Sequence, residues 1–210
     1  MTPKSINEKI KEFVSLVCPG EEPYFVEVNP EEYAQVSFCF QAVAEKVRRD
    51  GGEELIGWQI WDLGYMIEAE FHAIWESPSG MKLDVTPKSF PAEQILFLHD
   101  RSRRYEGKQV DNIRLNVVGS RLVDDLIKVR EVKYFWLNKG DLADKSGEIH
   151  LCGKDAEMFS ALSLIEKGII DLIKNREPRN CMCFCGRDLK YKNCHGKDVK
   201  EIHHRFCDSH

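Results

Sequence analysis

Cysteine is scarce along most of this chain: of eight in 210 residues, only Cys18, Cys39 and Cys152 precede residue 181. So thin a supply excludes a disulfide-built scaffold for that stretch, because stapled domains need a dense, paired set of half-cystines. Long apolar runs are missing too. Nothing approaches the roughly 20 consecutive apolar residues that span a bilayer, so no membrane partner is expected. The N-terminal run Met1-Thr2-Pro3-Lys4-Ser5-Ile6-Asn7-Glu8 lacks the apolar core of a secretory leader, which predicts a cytoplasmic protein with reduced thiols. Internal repeats and low-complexity tracts are absent, and 42% hydrophobic with 31% charged residues is the composition of an ordinary globular protein.

Strong charge of either sign is lacking as well: the net is −5. It is unevenly divided, with eight Lys/Arg against five Asp/Glu from residue 176 onward and 22 against 30 before it. A weakly basic tail on an acidic body fits an acidic protein partner or RNA and does not choose between them.

What is present is concentrated at the end, where the last 30 residues hold five cysteines. Cys183-Phe184-Cys185-Gly186 is followed by Lys190-Tyr191-Lys192-Asn193-Cys194-His195-Gly196, a C-x-C-x8-C-H spacing that brings three thiolates and one imidazole within reach of one tetrahedral ion. So short a segment cannot bury enough apolar surface to fold alone, so Zn²⁺ is expected to supply its folding free energy. Gly186, after the second ligand, suits a tight turn with positive φ. Cys181, His203, His204, Cys207 and His210 are spare donors whose spacing fits no recognised pattern.

This segment resembles the SEC-C zinc module at the C-terminus of the preprotein translocase ATPases, with pattern C-P-C-G-S-G-x-K-Y-K-x-C-H/C-G. Cys183, Cys185, Cys194 and His195 fall on its four ligand positions, and Gly186, Lys190, Tyr191, Lys192 and Gly196 match around them. Arg187 and Asp188 replace the usual Ser-Gly, a change at the contact surface rather than at the metal. The resemblance covers residues 176–196 and implies a zinc site that docks to protein or the ribosome.

Upstream, Ser5-x-x-Glu8 reads as a capping box for a first helix whose Ile6, Ile10, Phe13, Val14 and Val17 recur at helical spacing. Residues 24–28 read as a strand. A helix is expected from about Ser37 to the Asp50-Gly51-Gly52 stop, then strands from Leu55 to Val85, cut by Pro78-Ser79-Gly80, and at 95–98 and 113–118. Two further helices follow, capped by Ser120 and Asp155. Helices flanking a block of strands predict an α+β domain over 1–175, built on an antiparallel sheet. A zinc module at 176–196 and a flexible tail at 197–210 complete the expected organisation.

Within the strands, Glu68, Glu70 and His72 alternate with Ile67, Ala69, Phe71, Ala73 and Trp75. A five-residue loop at 76–80 pairs Trp75 with Met81 and sets His72 opposite Asp84, close enough for the carboxylate to orient the imidazole. Cys39, in the first turn of its helix, is where a thiolate is stabilised. The order Cys39, His72, Asp84 resembles that of transglutaminase-like and papain-like cysteine enzymes, whose H-x-W…D-x-T segment is similar to His72-Ala73-Ile74-Trp75 and Asp84-Val85-Thr86. That resemblance spans residues 37–87 and implies Cys39 as nucleophile, His72 as base and Asp84 as orienting group. Gln41, Gln59 and the Cys39 N–H are alternative oxyanion donors.

Plainer roles fit the same residues. Cys39 between Phe38 and Phe40 suits a buried apolar position, His72 a solvated strand face, and Asp84 a cap for the Thr86-Pro87 turn. Glu68 and Glu70 are a wet strand face or a second metal site. The Asp100–Gly107 stretch, with Arg101, Arg103 and Arg104, is a solvated turn or a receptor for phosphate or carboxylate. Two functions are therefore expected: a cysteine hydrolase or acyl transferase with a recruiting zinc module, or a non-catalytic adaptor using that module alone.

Overall fold

In the computed structural model, residues 1–142 and 149–207 are described. By backbone proximity the chain forms two compact units, Met1–Val117 and Val118–His210. The expected boundary at residue 175 falls inside the second.

The first unit holds α1 (Glu8–Val17), β1 (Tyr24–Val28), α2 (Cys39–Asp50), β2 (Glu53–Asp62), β3 (Met66–Glu76), β4 (Lys82–Asp84), β5 (Gln94–His99) and β6 (Ile113–Asn116). The strands run in the order β2-β5-β1-β4-β3-β6, and β2 also pairs with β3, so the first five close into a barrel. The expected sheet was antiparallel. It is mixed, because β1 runs parallel to β4 with Val28 beside Asp84. The two strands are separated in sequence by α2 and the β2–β3 hairpin, and so long a connection permits either direction.

Alternation splits each strand between two environments. Val26, Leu55, Ile74, Ile95 and Phe97 fill the barrel. Outside it, α1 lays Ile10, Phe13 and Val14 on Trp58, Ile60, Phe71 and Leu98, while α2 lays Ala42 and Val43 on Ala73, Trp75, Leu83 and Val85. Each fully buried side chain of this size is worth about 1.5–3 kcal/mol. The cap of α1 is Asn7, whose side chain accepts from the Ile10 N–H at 3.0 Å, two residues beyond the expected Ser5. Asn7 leaves Glu8, not Ser5, at the dipole's positive end.

The second unit holds α3 (Arg121–Leu137), α4 (Gly153–Lys174) and α5 (His195–Phe206). Ser120 caps α3 through its hydroxyl to the Leu122 N–H at 3.3 Å, as expected. Helix α4 starts earlier than expected, at Gly153, which puts Asp155 in its first turn and in an ion pair with Lys139 at 2.7 Å. Most of the residues expected as a flexible tail lie in α5, because Phe206 packs on Phe135 and Trp136 and His203 bonds Glu131 at 2.7 Å. His210 lies outside the described residues.

Candidate functional site

The turn after β3 positions the first candidate site. Ser77 N–H donates to the Met81 carbonyl at 2.8 Å, and the Ser77 hydroxyl accepts from the Met81 N–H at 2.9 Å, so the loop is 77–81 rather than 76–80. One residue of displacement moves the register by two: Trp75 pairs with Leu83, and His72 lies across from the level of Thr86. A shift of two preserves the face, since side chains alternate with period two. His72 and Asp84 therefore still point the same way, into the barrel beside Ile74, and the carboxylate reaches the ring diagonally.

His72 Nε2 and Asp84 Oδ2 are 3.0 Å apart, and the two residues are 4% and 0% exposed. An ionised carboxylate only accepts, so Nε2 carries the proton. Asp84 Oδ1 accepts from the Thr86 N–H at 3.0 Å. The same residue thus both caps its turn and holds the ring. Lys88 returns across that turn to pair its ammonium with Asp84 Oδ2 and to donate to Gln59 Oε1 at 3.1 Å. Its 3.3 Å approach to His72 Nε2 brings two donors to one acceptor.

The electrostatics follow. Burial, the largest influence on Asp84, opposes its charge, but His72 and Lys88 outweigh it and hold the carboxyl down at about 2. Burial also opposes a charged His72; a Cys39 thiolate and the Asp84 carboxylate outweigh it and push the ring up to about 9, with Lys88 pulling against them. Cys39 is the first residue of α2 and 7% exposed, and no hydrogen bond joins its sulfur to His72. Ser37, two residues before it, has φ 69°, a left-handed conformation that costs a non-glycine residue on the order of 1 kcal/mol or more.

One edge of β3 pairs with β6 only at Met66–Ala69 and with β4 only at Trp75 and Glu76. Among the described residues, that edge of β3 has no strand neighbour along 70–74, the level of His72, where β2 pairs with the other edge.

Neither Glu68 nor Glu70 forms a wet face. Glu68 Oε1 accepts from Arg114 Nε at 2.7 Å and Asn112 Nδ2 at 3.0 Å, and Glu70 accepts from the Trp61 indole at 2.7 Å. Among the described residues they belong to no metal-ligand cluster. Lys88 was missed in the sequence because a lysine near a carboxylate is ordinarily surface. The signal was Asp84-x-x-x-Lys88 around Thr86-Pro87, a turn that folds the chain back on itself.

The second site is in the other unit. A hairpin joins the Cys183 N–H to the Leu189 carbonyl at 2.9 Å, with Gly186 at φ 76° in its turn. Cys194 precedes α5 and His195 opens it. The ligand atoms of Cys183, Cys185, Cys194 and His195 lie within 4.8 Å of one another. Cys185 and Cys194 sulfurs are 3.6 Å apart, and His195 Nδ1 is 3.8 Å from Cys194 and 3.1 Å from Cys183. Bonds of about 2.3 Å to sulfur and 2.0–2.1 Å to nitrogen make tetrahedral edges of about 3.6–3.8 Å, so the set fits an ion such as zinc. Burial and the two neighbouring thiols push Cys194 up to about 11, a crowding of negative charge that a bound cation relieves. The Arg187 N–H pulls Cys185 down.

Around the cluster, Phe184 stacks on the His195 ring at 4.7 Å and 19°. Arg179 ties the segment to α3, donating to Asp125 at 2.7 Å and to the Gly196 carbonyl at 3.0 Å. Gly196 must be glycine: a Cβ there would sit 2.9 Å from the Tyr191 ring and 3.0 Å from its carbonyl oxygen. Of the spare donors, His203 is taken by Glu131. Cys181, His204 and Cys207 join no metal-ligand cluster among the described residues.

No helix among the described residues is long and apolar enough to cross a membrane. No protein-family model matches the chain, and no curated protein or solved structure is significantly similar to it.

Proposed function

We propose that this is a cytoplasmic zinc protein whose barrel carries a cysteine hydrolase or acyl transferase acting on amide, thioester or isopeptide bonds. The observation that carries the reading is the buried His72–Asp84 bond, 3.0 Å long, on the strand against which α2 packs with Cys39 at its start. Asp84 keeps the proton on Nε2, which leaves Nδ1 to take the thiol proton of Cys39. The thiolate attacks the carbonyl carbon and the C=O pair moves to oxygen. Collapse expels the amine or thiol, protonated by the imidazolium, and leaves a thioester on Cys39. Water or an acceptor amine, deprotonated by His72, then releases the acyl group. Lys88 keeps Asp84 ionised throughout, since it contributes to the low carboxyl pKa.

Zinc held by Cys183, Cys185, Cys194 and His195 supplies folding free energy to its segment when bound. In this reading the segment recruits the protein substrate or a partner, as its resemblance to the SEC-C module suggests. A second reading has its own support: Met182, Phe184 and Leu189 remain 54%, 37% and 45% exposed beside the cluster, an apolar rim suited to docking. The protein is then an adaptor for another protein or the ribosome, and the barrel is scaffold.

Alkylation by iodoacetamide across pH 5–9, read at Cys39 by peptide mass in zinc-loaded protein, separates them. Reaction below about pH 7 that slows in His72→Ala supports the catalytic site. A Cys39 inert in the native protein leaves the adaptor.

A further inference from the structure

The polar groups gathered around Lys88 inside the barrel offer more donors than acceptors. Gln59 lies directly across from Phe97, one of the side chains that fill the barrel, so its amide points inward too. Its Oε1 accepts from Lys88 Nζ at 3.1 Å, which fixes the amide's orientation and leaves Nε2 as the other arm. That Nε2 is buried and has no hydrogen-bond partner among the described residues. Leu83 and Val85 pack outward on α2, and Thr86 alternates with them as Asp84 does. The Thr86 hydroxyl is likewise buried and unpartnered. Gln59 and Thr86 are each 2% exposed, and polar groups so buried are ordinarily hydrogen-bonded.

One carboxylate organises all of these groups. Asp84 Oδ1 accepts from the Thr86 N–H at 3.0 Å, and Oδ2 pairs with the Lys88 ammonium, whose second bond is the one to Gln59. The Lys88 side chain is 9% exposed. Among the described residues no third acceptor reaches its ammonium, since His72 Nε2 at 3.3 Å carries a proton of its own. An amide N–H, a hydroxyl and an ammonium N–H are therefore all available to one acceptor.

Charge decides what that acceptor is. Lys88 and a protonated His72 carry two positive charges against the single Asp84 carboxylate. Unpaired charge is costly in an interior, so one further negative charge completes the cluster and two overfill it. Phosphate brings a second charge near neutral pH, whereas a carboxylate brings one charge and two acceptor oxygens. We infer that the barrel interior binds a small monocarboxylate, to which Gln59 Nε2, the Thr86 hydroxyl and Lys88 Nζ donate. A Cys39 thiolate answers the same positive charge, so thiolate and ligand are alternatives. The inference stands on these buried side chains and does not need Cys39 to be a nucleophile.

The test is NMR of the full-length zinc-loaded protein at pH 6, titrated with sodium formate and, separately, with sodium chloride at equal ionic strength. The side-chain NH2 signals of Gln59 are expected to move saturably with formate and not with chloride. Thr86→Val should weaken that affinity at least roughly tenfold, the scale of one hydrogen bond to a charged group. Without formate the same substitution should not lower the melting temperature, because it removes a hydroxyl that bonds nothing. A lowered melting temperature with unchanged formate affinity would make Thr86 structural and overturn the three-donor site. Gln59 signals that stay in place, or that follow chloride equally, would overturn carboxylate binding. So would magnetisation transfer from water to the Gln59 amide that saturating formate leaves intact, which would assign the donors to a buried water.

Discussion

Asp84→Asn removes one charge from the centre of the barrel without changing its volume. Asp84 is fully buried, and its Oδ2 serves both Lys88 and His72. The amide still accepts from the Thr86 N–H, but it leaves two cationic groups without a counter-charge. Removing one partner of a buried pair costs about 3–5 kcal/mol. His72 rises from 6.5 to about 9 on folding, which at 1.36 kcal/mol per pH unit is roughly 3 kcal/mol, supplied by the Cys39 thiolate first and the Asp84 carboxylate after it. Because the folded value is the higher one, this stabilisation is complete below about pH 6.5 and disappears as pH rises through about 9. Asp84, held at about 2 from an ordinary 3.8, keeps its contribution above about pH 4 and loses it only as pH falls through about 2. Urea denaturation followed by tryptophan fluorescence at pH 6 and pH 10 measures the His72 contribution and the cost of the substitution. Wild type should be the more stable at pH 6, and Asp84→Asn should lose 3–5 kcal/mol there. Adding Lys88→Met should recover part of the loss. A cost at pH 6 below about 1 kcal/mol, the scale of an exposed pair, refutes the buried network.

Cys39→Ser removes the largest influence raising His72, so an NMR titration of the ring should find its pKa lower than in wild type; an unchanged value disconnects the two residues. Cys185→Ser should release zinc, seen by a chromogenic chelator, and disorder the 181–195 hairpin while the barrel tryptophans keep their emission; cooperative loss of both units would contradict independent folding. Gly196→Ala drives a methyl group into Tyr191 and should cost about 1–3 kcal/mol, measured as a lowered melting temperature of the zinc-loaded protein. Gly168→Ala should push Phe184 off the His195 ring, since a Cβ there would meet the Phe184 ring at 2.6 Å, and the readout is weaker zinc retention against a competing chelator.

Much of this protein is local chemistry and was legible as such. The C-x-C-x8-C-H spacing keeps all four donors within thirteen residues, so chain geometry alone brings them together, and the cluster forms as expected. Helix stripes, the Ser120 cap and the Asp50-Gly51-Gly52 stop are likewise properties of neighbouring residues. The shared face of His72 and Asp84 also survived, because a register error of two leaves strand parity unchanged. Three things were decided only by the tertiary structure. Barrel closure turned a strand face with two glutamates and a histidine inward, and Arg114, Trp61 and Asp84 satisfy it there. The parallel β1–β4 pair depends on strands brought together across more than fifty intervening residues. Lys88 became part of the His72 site through a turn and a burial that no window of sequence contains. Pattern reports which way a side chain points; only packing decides whether water or another strand is waiting there.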